Sequence, residues 1–186
     1  GVTVTVEPGT QLQFWTDDPH DAYADTAITY LKVDGTLLCN GTEDEHIRMF
    51  PSELMSQYRV QLYESYRGTI KLYYTDVVNP YLHDGSISGG YGITYAENCE
   101  FSQNYIAEKL GMPVHSERGI LYADRVKDCA FYRIGGSEYT WLSFEVDAPC
   151  DGCIFVDSAV NLSSSREYTN CVFYGNNNYL GENSGL

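Results

Sequence analysis

A short motif, a turn-forming residue followed by Cys-x-Phe, occurs four times in this chain and constrains its fold more than any other feature. The four copies begin at Asn98, Asp128, Gly152 and Asn170, and their cysteines are 30, 24 and 18 residues apart. In each copy the Cys and the Phe stand at i and i+2, which a β-strand places on one face. Unequal spacing around a constant strand core is typical of a solenoid whose insertions collect at its corners.

A second series of motifs lies upstream of the first. Its clearest pair is GITYA at residues 92–96 and GILYA at residues 119–123, in which Ile and Tyr are the predicted inward residues. Looser members are Val60/Leu62, Leu142/Phe144 and Val160/Leu162. Alternating apolar residues and Pro-Gly or Asp-Gly turns predict more strands between residues 2 and 50. The sequence therefore predicts an all-β chain, a parallel β-helix of about six to seven coils, with Cys over Cys and Phe over Phe.

Length and charge narrow the range of partners. The 186 residues are enough for one buried core, and we expect a single module over residues 1–186. Its formal net charge of -15 excludes nucleic acid and anionic membranes as favoured partners. A neutral partner fits better, and an acidic polymer would need calcium or a local basic groove. The strand-like start and the polar Gly/Asn/Ser end predict a module excised from a larger, secreted protein.

The six cysteines are not predicted to form disulfides, because four of them share one position and point the same way. We expect these four to form a buried thiol ladder: Cys99, Cys129, Cys153 and Cys171. Cys150 and Cys153 have the spacing of a redox motif but lack the following helix that lowers a thiol pKa.

One acidic loop could bind calcium through carboxylate oxygens, although a solvated insertion is the competing interpretation. Its carboxylates are Asp17, Asp18, Asp21 and Asp25.

Aromatic side chains are the predicted ligand-binding groups. Trp141 precedes the inward Leu142 and would point to solvent, level with Gly92 and Gly119 in neighbouring repeats. A ring with nothing over it suits stacking on a sugar; cover by residues 135–139 or by a neighbouring domain is the alternative. The predicted carbohydrate-binding residues are Trp141, Tyr139, Tyr132, Tyr63, Tyr66 and Tyr91.

Residues 4–10, 33–37 and 41–44 resemble the opening repeats of bacterial secreted right-handed parallel β-helix proteins, and the Cys-x-Phe repeats resemble the same superfamily. By size, acidity and abundant Tyr, the chain is most similar to β-helical xylan-binding modules of plant-polysaccharide-degrading enzymes. The resemblance implies a secreted carbohydrate-binding module, attached to a catalytic domain in its parent protein, with xylan as the favoured ligand.

Catalysis is the competing class of function, because the superfamily that the chain resembles contains lyases, hydrolases and epimerases of uronate-rich polymers. Asp17-Asp18 lacks the motifs that accompany such a pair in polygalacturonases, and Arg118 and Arg133 are the most plausible lyase bases. The histidines fall in different repeats, without a nucleophile motif. We therefore predict no catalytic residue, with an enzyme fragment as the alternative and a structural spacer or adhesin segment as the second.

Overall fold

The computed structural model describes residues 1–15, 28–52, 59–64, 67–78, 80–81, 93–102, 120–133, 144–158, 160–163, 165–175 and 179–180. This part of the chain is all-β, with no helix, and so has none that could cross a membrane. Its strands are β1 (Thr3–Val6), β2 (Gln11–Phe14), β3 (Ile28–Val33), β4 (Thr36–Asn40), β5 (Ile47–Pro51), β6 (Arg59–Glu64), β7 (Thr69–Tyr73), β8 (Thr75–Val78), β9 (Pro80–Tyr81), β10 (Ile93–Glu97), β11 (Glu100–Ser102), β12 (Ile120–Lys127), β13 (Ala130–Tyr132), β14 (Phe144–Asp147), β15 (Cys150–Asp151), β16 (Ile154–Val156), β17 (Val160–Leu162), β18 (Tyr168–Thr169), β19 (Val172–Tyr174) and β20 (Tyr179–Leu180).

The strands fall into three series, and within each series they pair in parallel with the strand of the next repeat. The first series is β1, β4, β7, β10, the end of β12, β15 and β18. The second is β2, β5, β8, β11, β13, β16 and β19. The third has an interruption: β3, β6 and β9 form a separate three-stranded sheet, and the start of β12 then pairs with β14, β14 with β17 and β17 with β20, with no pairing between β9 and β12 among the described residues. The sequence predicted at least two strands in each repeat, and the structure has three in most of them.

The second series contains the Cys-x-Phe motifs in the predicted register. Phe101 pairs with Phe131, Phe131 with Phe155, and Phe155 with Phe173. Their rings stack with centroids 4.6 to 5.1 Å apart. The first three are fully buried, while Phe173 at the end of the stack is partly exposed. Parallel pairing thus brings identical side chains together at the strand spacing, and the predicted Phe ladder is confirmed.

The residue before each Cys has the left-handed backbone conformation that a sharp turn requires. Asn98, Asp128 and Asn170 have φ between 49° and 53°, and Gly152 has φ of 69°. Asn, Asp and Gly tolerate this region better than other residues do. The predicted turn position is therefore confirmed.

The four motif cysteines are free thiols, three of them buried and Cys171 half-buried. Each thiol donates a hydrogen bond to the carbonyl two residues earlier, over 3.2 to 3.6 Å. The same position in the preceding repeat is Thr75, whose hydroxyl donates to the Tyr73 carbonyl at 3.0 Å. The position therefore requires a small side chain that can satisfy a backbone carbonyl. The predicted buried thiol ladder is confirmed for Cys99, Cys129 and Cys153, and the half-buried Cys171 continues it at the end.

The predicted register of the other motif series was wrong. Ile93 pairs with Ala123 and not with Ile120, and Ala96 pairs with Val126. The start of β12 belongs to the third series, where residues 120–122 pair with residues 145–147 of β14. The two similar motifs, at residues 92–96 and 119–123, are thus offset by three residues in the strand pairing, because β12 continues from the third series into the first.

Tyr95 was predicted to point inward, and this was also wrong. In β10 the buried side chains are Ile93 and Ala96, three residues apart, so the simple alternation is interrupted between them. Ala96 occupies the inner row of the first series, paired with the buried Leu72 and Val126. Tyr95 consequently lies on the outward side.

Candidate carbohydrate-binding surface

The structure describes the surroundings of one predicted sugar-binding residue, Tyr132, whose side chain is 37% exposed at the end of β13. Tyr63 lies in β6 with its backbone paired to Lys32. The other four predictions lie outside the described residues: Trp141, Tyr139, Tyr66 and Tyr91.

An open surface around Trp141 was predicted from a strand register that the structure contradicts. It required the residues before Ile93 and before Ile120 to be level, but Ile93 pairs with Ala123. Residues 92 and 119 themselves, like Trp141, lie outside the described residues. The hypothesis that Trp141 binds sugar keeps its aromatic chemistry and loses this geometric support.

Tyr132 belongs to an outward row that ends in a second exposed tyrosine. Along the second series, Ser102 pairs with Tyr132, Tyr132 with Val156, and Val156 with Tyr174. We call these four residues the Tyr132 row. Tyr174 is 70% exposed, and two strand spacings put the two tyrosines roughly 9 to 10 Å apart along the sheet. The row therefore presents two phenol rings with a valine between them.

A parallel outward row adds apolar surface beside the tyrosines. Ile154 and Val172 are partners on β16 and β19, and both are exposed. Polar groups stand at the turns that follow the row: Arg133 and Asp157 both have left-handed φ, and their amides donate to the carbonyls of Val156 and Tyr174. Exposed rings beside hydrogen-bonding groups form the combination that suits a pyranose, which has an apolar face and a rim of hydroxyls.

Sequence reasoning missed Tyr174, although a signal was present. Cys-x-Phe-Tyr occurs at residues 129–132 and again at residues 171–174. Since the Phe residues of these motifs occupy one inner row, the residues that follow them must share one outward row. The motif register was predicted correctly, and it would have placed both tyrosines together.

Another outward part of the second series carries acidic groups. Asp76 and Glu100 are partners on β8 and β11, and Nδ1 of His46 lies 2.7 Å from Oδ1 of Asp76. Burial, and next the Asp76 carboxylate, raise the pKa of Glu100. A carboxyl group with a raised pKa beside a second carboxylate, as in Glu100 and Asp76, is an arrangement that can transfer protons. The sequence did not predict this contact of His46, because His46 and Asp76 are 30 residues apart in the chain.

The described residues contain no group of three or more His, Cys, Asp or Glu side chains arranged to hold a metal ion. The predicted calcium ligands Asp17, Asp18, Asp21 and Asp25 lie outside the described residues, as does Arg118. Arg133, the other candidate lyase base, is described and exposed at the turn after Tyr132. That position puts it beside the tyrosines and on a different row from Asp76 and Glu100.

Comparison with known proteins supplies no family: no protein-family model, curated protein or solved structure matches this chain.

Proposed function

We propose that the chain is a right-handed parallel β-helix of about six to seven coils that binds a plant cell-wall polysaccharide without catalysing its cleavage. The three parallel strand series support this winding, because every described pairing joins successive repeats in parallel. A neutral polymer is favoured by the net charge of -15, and xylan is the favoured polymer. We further propose a secreted protein in which this module accompanies a catalytic domain.

The observation that carries the proposal is the exposure of Tyr132 and Tyr174 on one straight row. A buried tyrosine would need no ligand, but two exposed rings on one row, two strand spacings apart, leave apolar area in contact with water. Stacking a sugar on each ring removes that area at little cost in conformational entropy. Because strand pairing fixes the ring spacing, the row suits an extended chain of sugars better than a compact ligand.

Affinity electrophoresis and calorimetry on a panel of xylans and glucans test the proposal. Tyr132→Ala and Tyr174→Ala should each weaken binding to the preferred polymer by about tenfold, or about 1.4 kcal/mol. Tyr132→Phe and Tyr174→Phe are the matched controls, since they keep the ring and remove only the hydroxyl, and they should bind nearly as the parent chain does.

Two results would overturn the proposal. One is unchanged mobility of the parent protein on every polymer of the panel. The other is full binding by the folded Tyr132→Ala, Tyr174→Ala double variant, which would move the site elsewhere. Trp141→Ala in the same assay decides whether the predicted Trp141 platform adds to the Tyr132 row. Release of reducing or unsaturated sugars from the polymers would favour the enzyme alternative.

A further inference from the structure

The outward side of the first series carries a cluster of cations that is unusual in so acidic a chain. Lys71 pairs with Tyr95, and Tyr95 pairs with Arg125, so the three residues form one row across β7, β10 and β12. Lys127 stands two residues beyond Arg125. The protein has only 11 Lys and Arg against 26 Asp and Glu, and three of those cations lie on two strands of this side.

Tyr95 is held in a fixed position between its two cationic neighbours. Its hydroxyl donates a hydrogen bond to Oε2 of Glu97 at 2.9 Å. Its ring packs against Tyr73, with centroids 5.6 Å apart and planes tilted by 48°. A ring fixed at both its edge and its hydroxyl loses little further freedom when a ligand stacks on it.

Two carboxylates of this side, Glu97 and Asp151, already have partners. Lys127 Nζ donates to Oε1 of Glu97 at 2.6 Å, so the Glu97 charge is compensated. Oδ1 of Asp151 accepts hydrogen bonds from Thr169 at 3.1 Å and from Asn170 at 3.0 Å. These carboxylates therefore compete weakly for the remaining cations.

Lys71 and Arg125 are the cations left for a ligand. Lys71 forms no ion pair within the part of the chain that the structure describes. Arg125 makes one long contact, 3.6 Å from its Nη2 to Asp151 Oδ2, and its side chain is 56% exposed. Two long, flexible side chains on either side of a fixed ring can close on an anion above that ring.

We propose that Lys71, Tyr95 and Arg125 form a second binding site, which takes the carboxylate and ring of a uronic acid residue in an acidic glycan. The ring of the sugar stacks on Tyr95, and its carboxylate binds the ammonium of Lys71 and the guanidinium of Arg125. This site lies on a different strand series from the Tyr132 row and has a different ligand chemistry. Its two cations supply the local positive charge without which an acidic polymer would be repelled by the net charge of -15.

The test is calorimetry with a galacturonate oligosaccharide and with the same oligosaccharide after reduction of its carboxyl groups, in a chelating buffer that removes calcium. The acidic form should bind about tenfold more tightly at low ionic strength. The difference should shrink at high salt, since screening weakens exposed charge pairs. Lys71→Gln and Arg125→Gln should each remove most of it, whereas Arg48→Gln, a cation on the second series, should leave it unchanged.

Three outcomes would overturn the proposal. They are equal affinity for the acidic and the reduced oligosaccharide, an unaltered preference in Lys71→Gln, and binding of single-stranded DNA as strong as that of the galacturonate oligosaccharide. Circular dichroism of each variant confirms that it is folded, and Lys71→Gln breaks no described ion pair. Tyr132→Ala should leave the carboxylate preference intact, and Lys71→Gln should leave binding of neutral xylan intact, so the two sites succeed or fail separately.

Discussion

The rings of Phe131 and Phe155 lie with their centroids 4.6 Å apart and their planes within 7° of parallel, inside the second strand series. Both are fully buried. We expect Phe131→Ala to lower the free energy of unfolding by about 3 to 5 kcal/mol, because it removes a buried ring and leaves a cavity between two others. Urea denaturation measures the loss, and Phe131→Leu provides a milder variant if the alanine variant does not fold.

Phe173→Ala is the matched comparison, because Phe173 contacts one ring of the stack and is 36% exposed. Its loss of stability should be clearly smaller than that of Phe131→Ala. Equal losses in the free energy of unfolding at the two positions would contradict the place of Phe173 at the exposed end of the stack.

Glu97 and Glu100 are three residues apart, and their pKa values shift in opposite directions. Hydrogen bonds from Lys127 and then Tyr95 lower the pKa of Glu97, whereas burial and the Asp76 carboxylate raise that of Glu100. A lowered pKa stabilises the fold above the unfolded value of about 4.3 and loses that contribution as the pH falls through the folded value. A raised pKa has the opposite sign, and its cost appears as the pH rises above about 4.3.

Thermal unfolding of Glu97→Gln and Glu100→Gln between pH 3 and pH 7 checks these signs. At pH 7, Glu97→Gln should melt below the parent chain and Glu100→Gln above it. Both differences should vanish as the pH falls well below 4, when the carboxyl groups are protonated in the folded and unfolded states. A Glu100→Gln variant that melts below the parent chain at pH 7 would contradict the environment described for Glu100.

The thiols should be unreactive in the folded protein. Burial raises the pKa of Cys39 to about 12, and a hydrogen bond with Cys150 is the largest cause that raises the pKa of Cys153 to about 12. At pH 8 the thiolate fraction of such a group is roughly one in ten thousand. Ellman's reagent should therefore react slowly with the native chain, including the half-buried Cys171, whose pKa is raised by its hydrogen bond with Cys153, and quickly with all six cysteines in guanidinium chloride. Fast labelling of Cys39 in the native protein would be inconsistent with its burial.

Gly152→Ala should be more costly than Gly9→Ala, although both glycines have left-handed backbones with φ of 69° and 73°. An added Cβ at Gly9 meets nothing closer than 4.0 Å, so the expected loss is the conformational cost of about 1 to 2 kcal/mol. At Gly152 the Cβ would also collide with Oδ1 of Asp128. Chemical denaturation measures these losses. In an Asp128→Ala background, Gly152→Ala should lower the free energy of unfolding, relative to Asp128→Ala alone, by only as much as Gly9→Ala lowers that of the parent chain. A larger loss in that background would argue against the collision.

The repeated motif determined which parts of this structure were predictable. Cys-x-Phe recurs with its turn residue, so the inner row of the second series could be aligned without knowing the loops. The motifs that contain Ile93 and Ile120 resemble each other as closely as the Cys-x-Phe motifs do, yet those two residues are not paired. A parallel strand pairs with a strand that is far away in sequence, so the turn between them does not fix the register. The alternation of apolar residues does not fix it either, because several registers place an apolar residue on the inner side.

The proposed sites differ in the same way. Tyr132 and Tyr174 follow the motif and could both have been found from it. Lys71 and Arg125 belong to strands whose register the sequence did not reveal, and their place on either side of Tyr95 emerges only from pairing across 24 and 30 residues.

Each inner ring of the phenylalanine stack contacts the ring before it and the ring after it, so Phe131 separates Phe101 from Phe155. A substitution in such a row must suit its two neighbours and need not suit the row as a whole. The side chain at this position can therefore change from one strand to the next, provided that each new side chain packs against its partner on the adjoining strand. The inner row passes in this way from Leu12 and Met49 through valine to phenylalanine without a break in strand pairing. Natural variation at each position of this row should accordingly follow the side chains paired with it, so that a change of volume at one position is accompanied by a compensating change on an adjoining strand.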